Sequence, residues 1–144
     1  MKIERYTDQY ADDVRRLVQA FMAESLDEYG LTFSEGALQK QIDLLKGQAF
    51  VLVIDGKCQG ILAGKEVYTP TGGDKVWHEV IWYVDEDHRK YGIRLLDAAR
   101  GILKAEGFTS LVMVYMHNSK SDKLARLYTR LGMRPMETNY IGRL

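Results

Sequence analysis

Little in this chain of 144 residues could staple it covalently. It has one cysteine, Cys58, so no intrachain disulfide can form, and a reducing, cytoplasmic setting is the expectation. Cys58 has no convincing histidine partner nearby and reads as a strand residue rather than a nucleophile. Proline is scarce: Pro70 and Pro135 both fall where loops or strand ends belong. Neither sign of charge dominates, since 20 basic residues face 20 acidic ones and the pI is about 6.8. That balance speaks against a nucleic-acid partner, for which a basic stripe and a pI above about 9 would be expected. No apolar run reaches the roughly 18–20 residues that cross a bilayer. The opening Met1-Lys2-Ile3-Glu4-Arg5-Tyr6 lacks the apolar stretch of a signal peptide. His78, His88 and His117 lack the close i, i+4 spacing of a helical metal site, so no metal is expected. There is no repeat, low-complexity tract or linker, and residues 1–144 read as one domain.

Strand and helix signals alternate along the chain. Residues 2–6 read as a short strand. Thr7 or Asp8 then offers a capping oxygen to a helix whose apolar positions are Val14, Leu17, Val18, Phe21 and Met22. Residues 24–32 are polar, contain Gly30 and read as a loop. Ser34 precedes a second helix through Leu38, Ile42 and Leu45 that ends at Gly47. Residues 49–54 are a buried strand. Asp55-Gly56 is the strongest hairpin signal and leads into a strand to about residue 67. A turn over 69–74 gives way to a strand over 76–84. The polar run 85–92 opens a helix carrying Ile93, Leu95, Leu96, Ala99, Ile102 and Leu103, which ends at Gly107. A strand over 109–116 follows. Asn118 or Ser119 caps a last helix through Leu124, Leu127, Tyr128 and Leu131, and the tail over 133–144 is expected to add one or two strands. The order β-α-α-β-β-β-α-β-α-β(-β) predicts an α+β, three-layer fold. Its sheet is mixed, mostly antiparallel and of six to seven strands, with about four helices flanking it.

The stretch from Val84 to Leu96 carries the first chemical signal. A buried strand ends, a polar loop follows and a helix begins at Tyr91-Gly92. The first turn of a helix has unpaired amides and partial positive charge, which suits a phosphate. Gly92, without a Cβ, lets the backbone approach a ligand, and Arg89, Lys90 and Arg94 add positive charge. Gly92 as a plain helix-start glycine, with the basic residues solvated, is the competing reading.

Here the sequence resembles the GNAT superfamily of N-acetyltransferases, whose hallmark Arg/Gln-x-x-Gly-x-Gly/Ala lies between a strand and a helix. This chain has Arg89-Lys90-Tyr91-Gly92-Ile93-Arg94, preceded by the strand ending at Val84 and the acidic Asp85-Glu86 and followed by Leu95-Leu96. A second family pattern, Asn-x-x-Ala-x-x-Leu-Tyr-x-x-x-Gly-Phe, is matched by Asn118, Ala125, Leu127-Tyr128 and Gly132-Met133, with a longer gap after Asn118. The resemblance implies acetyl-CoA as cosubstrate. Its diphosphate would be held by Arg89, Lys90, Tyr91, Gly92, Ile93 and Arg94. Its pantetheine arm would lie along the backbone of Tyr83 and Val84 and beside Asn118. Arg94 departs from the family's small residue, so it turns aside or adds an ion pair.

The resemblance also assigns catalytic roles. Tyr128 matches the tyrosine that donates a proton to the CoA sulfur, the alternative being a core aromatic. Glu79 matches the placement of the catalytic glutamate in some members. A carboxylate in the apolar run His78-Glu79-Val80-Ile81-Trp82-Tyr83-Val84 is costly to bury, so it should face a cleft or an open edge. His78 is the substitute base, and in a regular strand it points away from Glu79. The partners implied are acetyl-CoA and a small-molecule or peptide amine, with a homodimer as an assembly to test. Glu24, Asp27, Glu28, Tyr29 and Phe33 suit a cationic acceptor and a solvated loop alike. The alternative function is a GNAT-fold acyl-CoA-binding or interaction module without turnover.

Overall fold

The computed structural model describes residues 1–144. The elements are β1 (Lys2–Arg5), α1 (Ala11–Phe21), α2 (Glu35–Asp43), β2 (Ala49–Ile54), β3 (Lys57–Val67), β4 (Val76–Val84), α3 (Gly92–Ala105), β5 (Ser110–Val112) and α4 (Ser121–Arg130). The five strands form one sheet in chain order. The pairs β1–β2, β2–β3 and β3–β4 are antiparallel; β5 lies parallel to β4 because α3 carries the chain back across the sheet.

The three layers follow from the alternation of side chains along the strands. In β2, Ala49, Val51 and Val53 pack with Val14 and Leu17 of α1 and Leu38 and Ile42 of α2. Phe50 and Leu52 face the other way, onto Leu95, Leu96, Ala99 and Leu103 of α3. With both faces covered, β2 reads as a continuous apolar run, and each large side chain so buried stabilises the fold by about 1.5–3 kcal/mol. Cys58 is a buried residue of β3, its thiol 3.3 Å from the Gly60 carbonyl.

Several expectations need correction. The sheet has five strands, not six or seven. Residues 133–144 form no strand; most are exposed, and Pro135 supplies no amide to a ladder. The strand expected over 109–116 is only Ser110–Val112, because pairing with β4 stops at His78↔Val112. The expected loop over 24–32 is instead mostly helical. A π turn (Met22–Leu26) and a 3₁₀ turn (Asp27–Tyr29) extend α1, and Gly30 closes them at φ 70°. A 3₁₀ turn (Asp8–Tyr10) separates Thr7 from α1, so Thr7 caps nothing through its side chain. Ser34 does cap α2, accepting from the Ala37 amide at 3.4 Å. Neither Asn118 nor Ser119 caps α4; Lys120 stands there, at φ 54°.

One irregularity sets the geometry of the site. Along β3–β4 the register runs Ala63↔Ile81 and then Gly64↔Glu79, leaving Val80 as an extra, exposed residue. This bulge reverses the alternation of β4. Ile81 and Tyr83 pack on the α1–α2 face, whereas Trp77 belongs to the α3 face. Glu79, two residues from Trp77 and on its side of the bulge, shares Trp77's face. Gly64 makes the bulge sterically possible: a Cβ there would stand 2.4 Å from the His78 carbonyl oxygen and 2.5 Å from the Trp77 ring.

Candidate active site

Beyond His78 and Val112 the parallel pair separates. β4 continues to Val84 with β3 on one side only, while the chain after β5 turns away. At the start of this split lies Val114. Its amide donates to Glu79 Oε2 at 2.8 Å, and its carbonyl accepts from the Tyr128 hydroxyl at 2.8 Å. Two main-chain groups that continued pairing would have turned toward β4 are taken instead by one side chain of β4 and one of α4.

Both side chains are buried, Glu79 with 8% of its surface exposed. Burial raises the Glu79 pKa to about 7, and the Val114 amide opposes that rise without cancelling it. Burial, and then the neighbouring Glu79 charge, push the Tyr128 phenol above its usual value, so it stays a proton carrier near neutrality. Trp82, also on β4, lies with its ring 6.4 Å from the Tyr128 ring. Its indole nitrogen is buried and meets no acceptor from the protein. His78 is half-buried, and its Nδ1 lies 2.8 Å from the carbonyl oxygen of Glu79.

The run from Asp85 to Gly92 is more ordered than its sequence suggests. Asp85 caps a 3₁₀ turn (Glu86–Tyr91) through the Asp87 amide, and α3 starts at Gly92. The Gly92 amide already donates to the Arg89 carbonyl. A Cβ on Gly92 would meet only ordinary contacts, 3.6 Å from the Trp82 ring and 3.7 Å from Val84, so packing within the protein does not demand glycine there.

The other candidate residues divide into two groups. Lys90 sits over the Tyr91 ring at 5.1 Å and Arg94 over the same ring at 5.8 Å; Ile93 is exposed. These residues surround the first turn of α3. Arg89 instead gives its guanidinium to both oxygens of Glu24, at 3.1 and 2.9 Å, and reaches the Val84 carbonyl at 3.4 Å. Tyr83 is buried and donates to the same carboxylate at 2.8 Å. Asn118 donates to the Ser25 carbonyl at 3.2 Å and to Glu28 at 2.6 Å. The turns after α1 therefore hold one residue from beyond each of the two separating strands.

Sequence reasoning missed Val114, Trp82 and the structural part played by Glu24. Val114 works through its main chain and carries no side-chain signal. For Glu24 there is one: an acid near the C-terminal end of a helix is disfavoured by the helix dipole unless something else holds it.

Residues 18–133 match the model of the acetyltransferase (GNAT) family. No curated protein matches the chain. Among solved structures, a ribosomal-protein-alanine N-acetyltransferase from Brucella melitensis biovar Abortus 2308 superposes with a TM-score of 0.75 at 18% identity, covering 99% of this chain and 98% of that one. An aminoglycoside acetyltransferase from an uncultured soil metagenomic sample, solved in complex with sisomicin, gives 0.70 at 18% identity over 99% and 95%. The structure of AAC(6')-Iy in complex with a bisubstrate analogue, CoA-S-monomethyl-acetylneamine, gives 0.73 at 15% identity over 99% and 97%. At such identities the likeness is one of fold.

Proposed function

The chain belongs to the GNAT acetyltransferase family, and we propose that it transfers the acetyl group of acetyl-CoA to a primary amine by direct attack in a ternary complex. The observation that carries this reading is the convergence of Glu79 and Tyr128 on Val114, where β4 and β5 part.

An ammonium cannot attack a thioester, so the acceptor must lose a proton first. A carboxylate with a pKa of about 7 is half ionised near neutral pH and is matched to that task, directly or through one water. Attack by the amine breaks the carbon–sulfur bond and leaves a thiolate. Tyr128 supplies an O–H for that sulfur, its proton swinging from the Val114 carbonyl. A phenol held above its ordinary pKa near 10 is a weaker acid than a thiol near 8.5, so full transfer from Tyr128 alone is uphill. Its contribution is a hydrogen bond that stabilises the departing sulfur, with the proton from the amine completing the exchange.

The residues present fit acetyl-CoA. The free edge of β4 at Tyr83 and Val84 would pair with the amides of the pantetheine arm, and the unpartnered indole N–H of Trp82 lies on the same strand. Lys90 and Arg94, with main-chain groups of Arg89, Tyr91 and Ile93, would hold the diphosphate at the first turn of α3, and Gly92, whose amide is given to the Arg89 carbonyl, would leave room for it by lacking a Cβ. Asn118 borders the arm from the β5 side. The acceptor is a small-molecule or peptide amine.

Calorimetric titration with acetyl-CoA, followed by a thiol-release assay over a panel of amines, tests the proposal. Saturable binding and amine-dependent release are expected. An absence of heat at sub-millimolar acetyl-CoA would remove it.

A further inference from the structure

The 3₁₀ turn before α3 is gripped at two points by one helix and its extension, with the charges crossed. At its start, Arg16 of α1 reaches Asp85 Oδ2 at 3.0 Å. At its middle, Glu24 of the π turn holds Arg89 at 2.9 Å. Base grips acid at one end and acid grips base at the other.

The first grip is braced. Arg16 also donates to the Cys58 carbonyl at 3.0 Å and to the Gln59 side chain at 3.3 Å. Asp13, three residues earlier on α1, accepts from the Cys58 amide at 2.9 Å. The register of β2–β3 shifts at this point, leaving Gln59 out of the ladder, and its carbonyl takes the Asp85 amide at 2.8 Å. Asp85 is therefore held by its main chain and its side chain, and it also caps the turn through the Asp87 amide. The second grip is braced by Tyr83, whose hydroxyl shares the Glu24 carboxylate.

The π turn explains how one helix reaches both ends. Arg16 and Glu24 are eight residues apart, which on a regular α-helix leaves them about 80° out of line. The wider turn over Met22–Leu26 takes up part of that excess and brings Glu24 closer to the Arg16 face.

We propose that Arg16 and Glu24 are positioning residues for the cofactor: together they clamp the turn at Asp85 and Arg89 in the pose that presents its main chain to the diphosphate of acetyl-CoA. The inference rests on the function proposed above. It gives Arg89 a different part from a simple phosphate ligand, since its guanidinium is committed to Glu24 and it offers the cofactor its backbone. The four side chains are between 31% and 45% exposed, so neither pair alone holds the fold, and loss of one should loosen the turn rather than unfold the chain.

The test compares acetyl-CoA dissociation constants by calorimetry for the unmodified chain and for Arg16→Met, Arg16→Lys, Glu24→Gln and Glu24→Asp, with melting temperatures alongside. Arg15→Met serves as control, because Arg15 pairs with Glu35 of α2 and does not touch the turn. Weakening of several-fold to about tenfold is expected for Arg16→Met and Glu24→Gln, partial recovery for Arg16→Lys and Glu24→Asp, and no change for Arg15→Met. Wild-type affinity in folded Arg16→Met and Glu24→Gln would overturn the clamp and leave the proposed function standing. Equal weakening in Arg15→Met would overturn it too, as a general loss of stability. If Arg16→Met fails to melt cooperatively, Glu24→Gln decides, since its amide oxygen still accepts from Tyr83. No binding by the unmodified chain would overturn the clamp and the function together.

Discussion

Glu79 and Tyr128 do not touch the same atom, yet both are fixed by one residue: Val114 gives its amide to the first and its carbonyl to the second, each at 2.8 Å. The two side chains come from different elements, β4 and α4, and face a stretch of chain that has left the sheet. A carboxyl and a phenol are thus held in register by the main chain of one residue rather than by each other, and only the phenol keeps its proton throughout the neutral range.

Glu79→Gln should remove the acid limb of the pH–rate profile. In the unmodified chain, activity should rise as pH passes through about 7, where the buried carboxyl ionises. A rate profile of Glu79→Gln that kept this limb would take Glu79 out of the reaction.

The same carboxyl should leave a mark on stability. Its folded pKa stands above its unfolded one, so the folded state binds the proton more tightly. Stability from this group is fully present below about 4.5 and is lost as pH rises to about 7. The loss is of the order of a few kcal/mol. Denaturant titrations at pH 5 and 8 should show a smaller fall for Glu79→Gln than for the unmodified chain.

Tyr128→Phe should lower kcat by roughly 10²-fold and move the acetyl-CoA dissociation constant by less than about twofold. It also leaves the Val114 carbonyl without its donor, at a cost of about 1 kcal/mol. Thiol-release kinetics and a thermal melt read the two effects separately, and an unchanged kcat would confine Tyr128 to packing.

Gly64→Ala tests the bulge. The new Cβ would meet the His78 carbonyl oxygen at 2.4 Å, so β3 and β4 must move apart. A loss of at least about 2 kcal/mol is expected, a fall of several degrees in Tm. Gly101→Ala, in the middle of α3 with nothing within 4 Å of the new Cβ, should instead stabilise by up to about 1 kcal/mol. Equal melting of the two variants would contradict the steric account.

Arg94→Ala should weaken acetyl-CoA binding several-fold at low ionic strength, and the difference should shrink toward molar salt. The guanidinium lies over Tyr91 and forms no ion pair with a carboxylate, so it is free to meet a phosphate. Tighter binding in Arg94→Ala would show that the side chain stands in the way.

Much of the fold could be read from local signals. The Asp55-Gly56 turn joins β2 and β3, Ser34 caps α2, and β2 is apolar on both faces because helices cover both. The misreadings fell where tertiary contacts outweigh local preference. Polar residues from Glu24 onward suggest a loop, yet Glu24 and Glu28 stay in helical turns because Arg89, Tyr83 and Asn118 hold them. The tail resembles strand sequence, but β5 is only three residues long and offers little edge to pair with.

The sequence by itself determined the layered plan, the order of the strands and main helices as far as α4 and the residue types the proposed chemistry needs, because periodicity and turn chemistry act over a few neighbours. Only the tertiary structure decided that Glu79 and Tyr128 converge on Val114. The single extra residue at Val80 turns Glu79 to the Trp77 face, away from that of Ile81, and a strand period of two offers no hint of such a shift. The partner that fixes both is a main-chain unit at Val114, brought there by β5 and α4 from more than thirty residues away in sequence from Glu79.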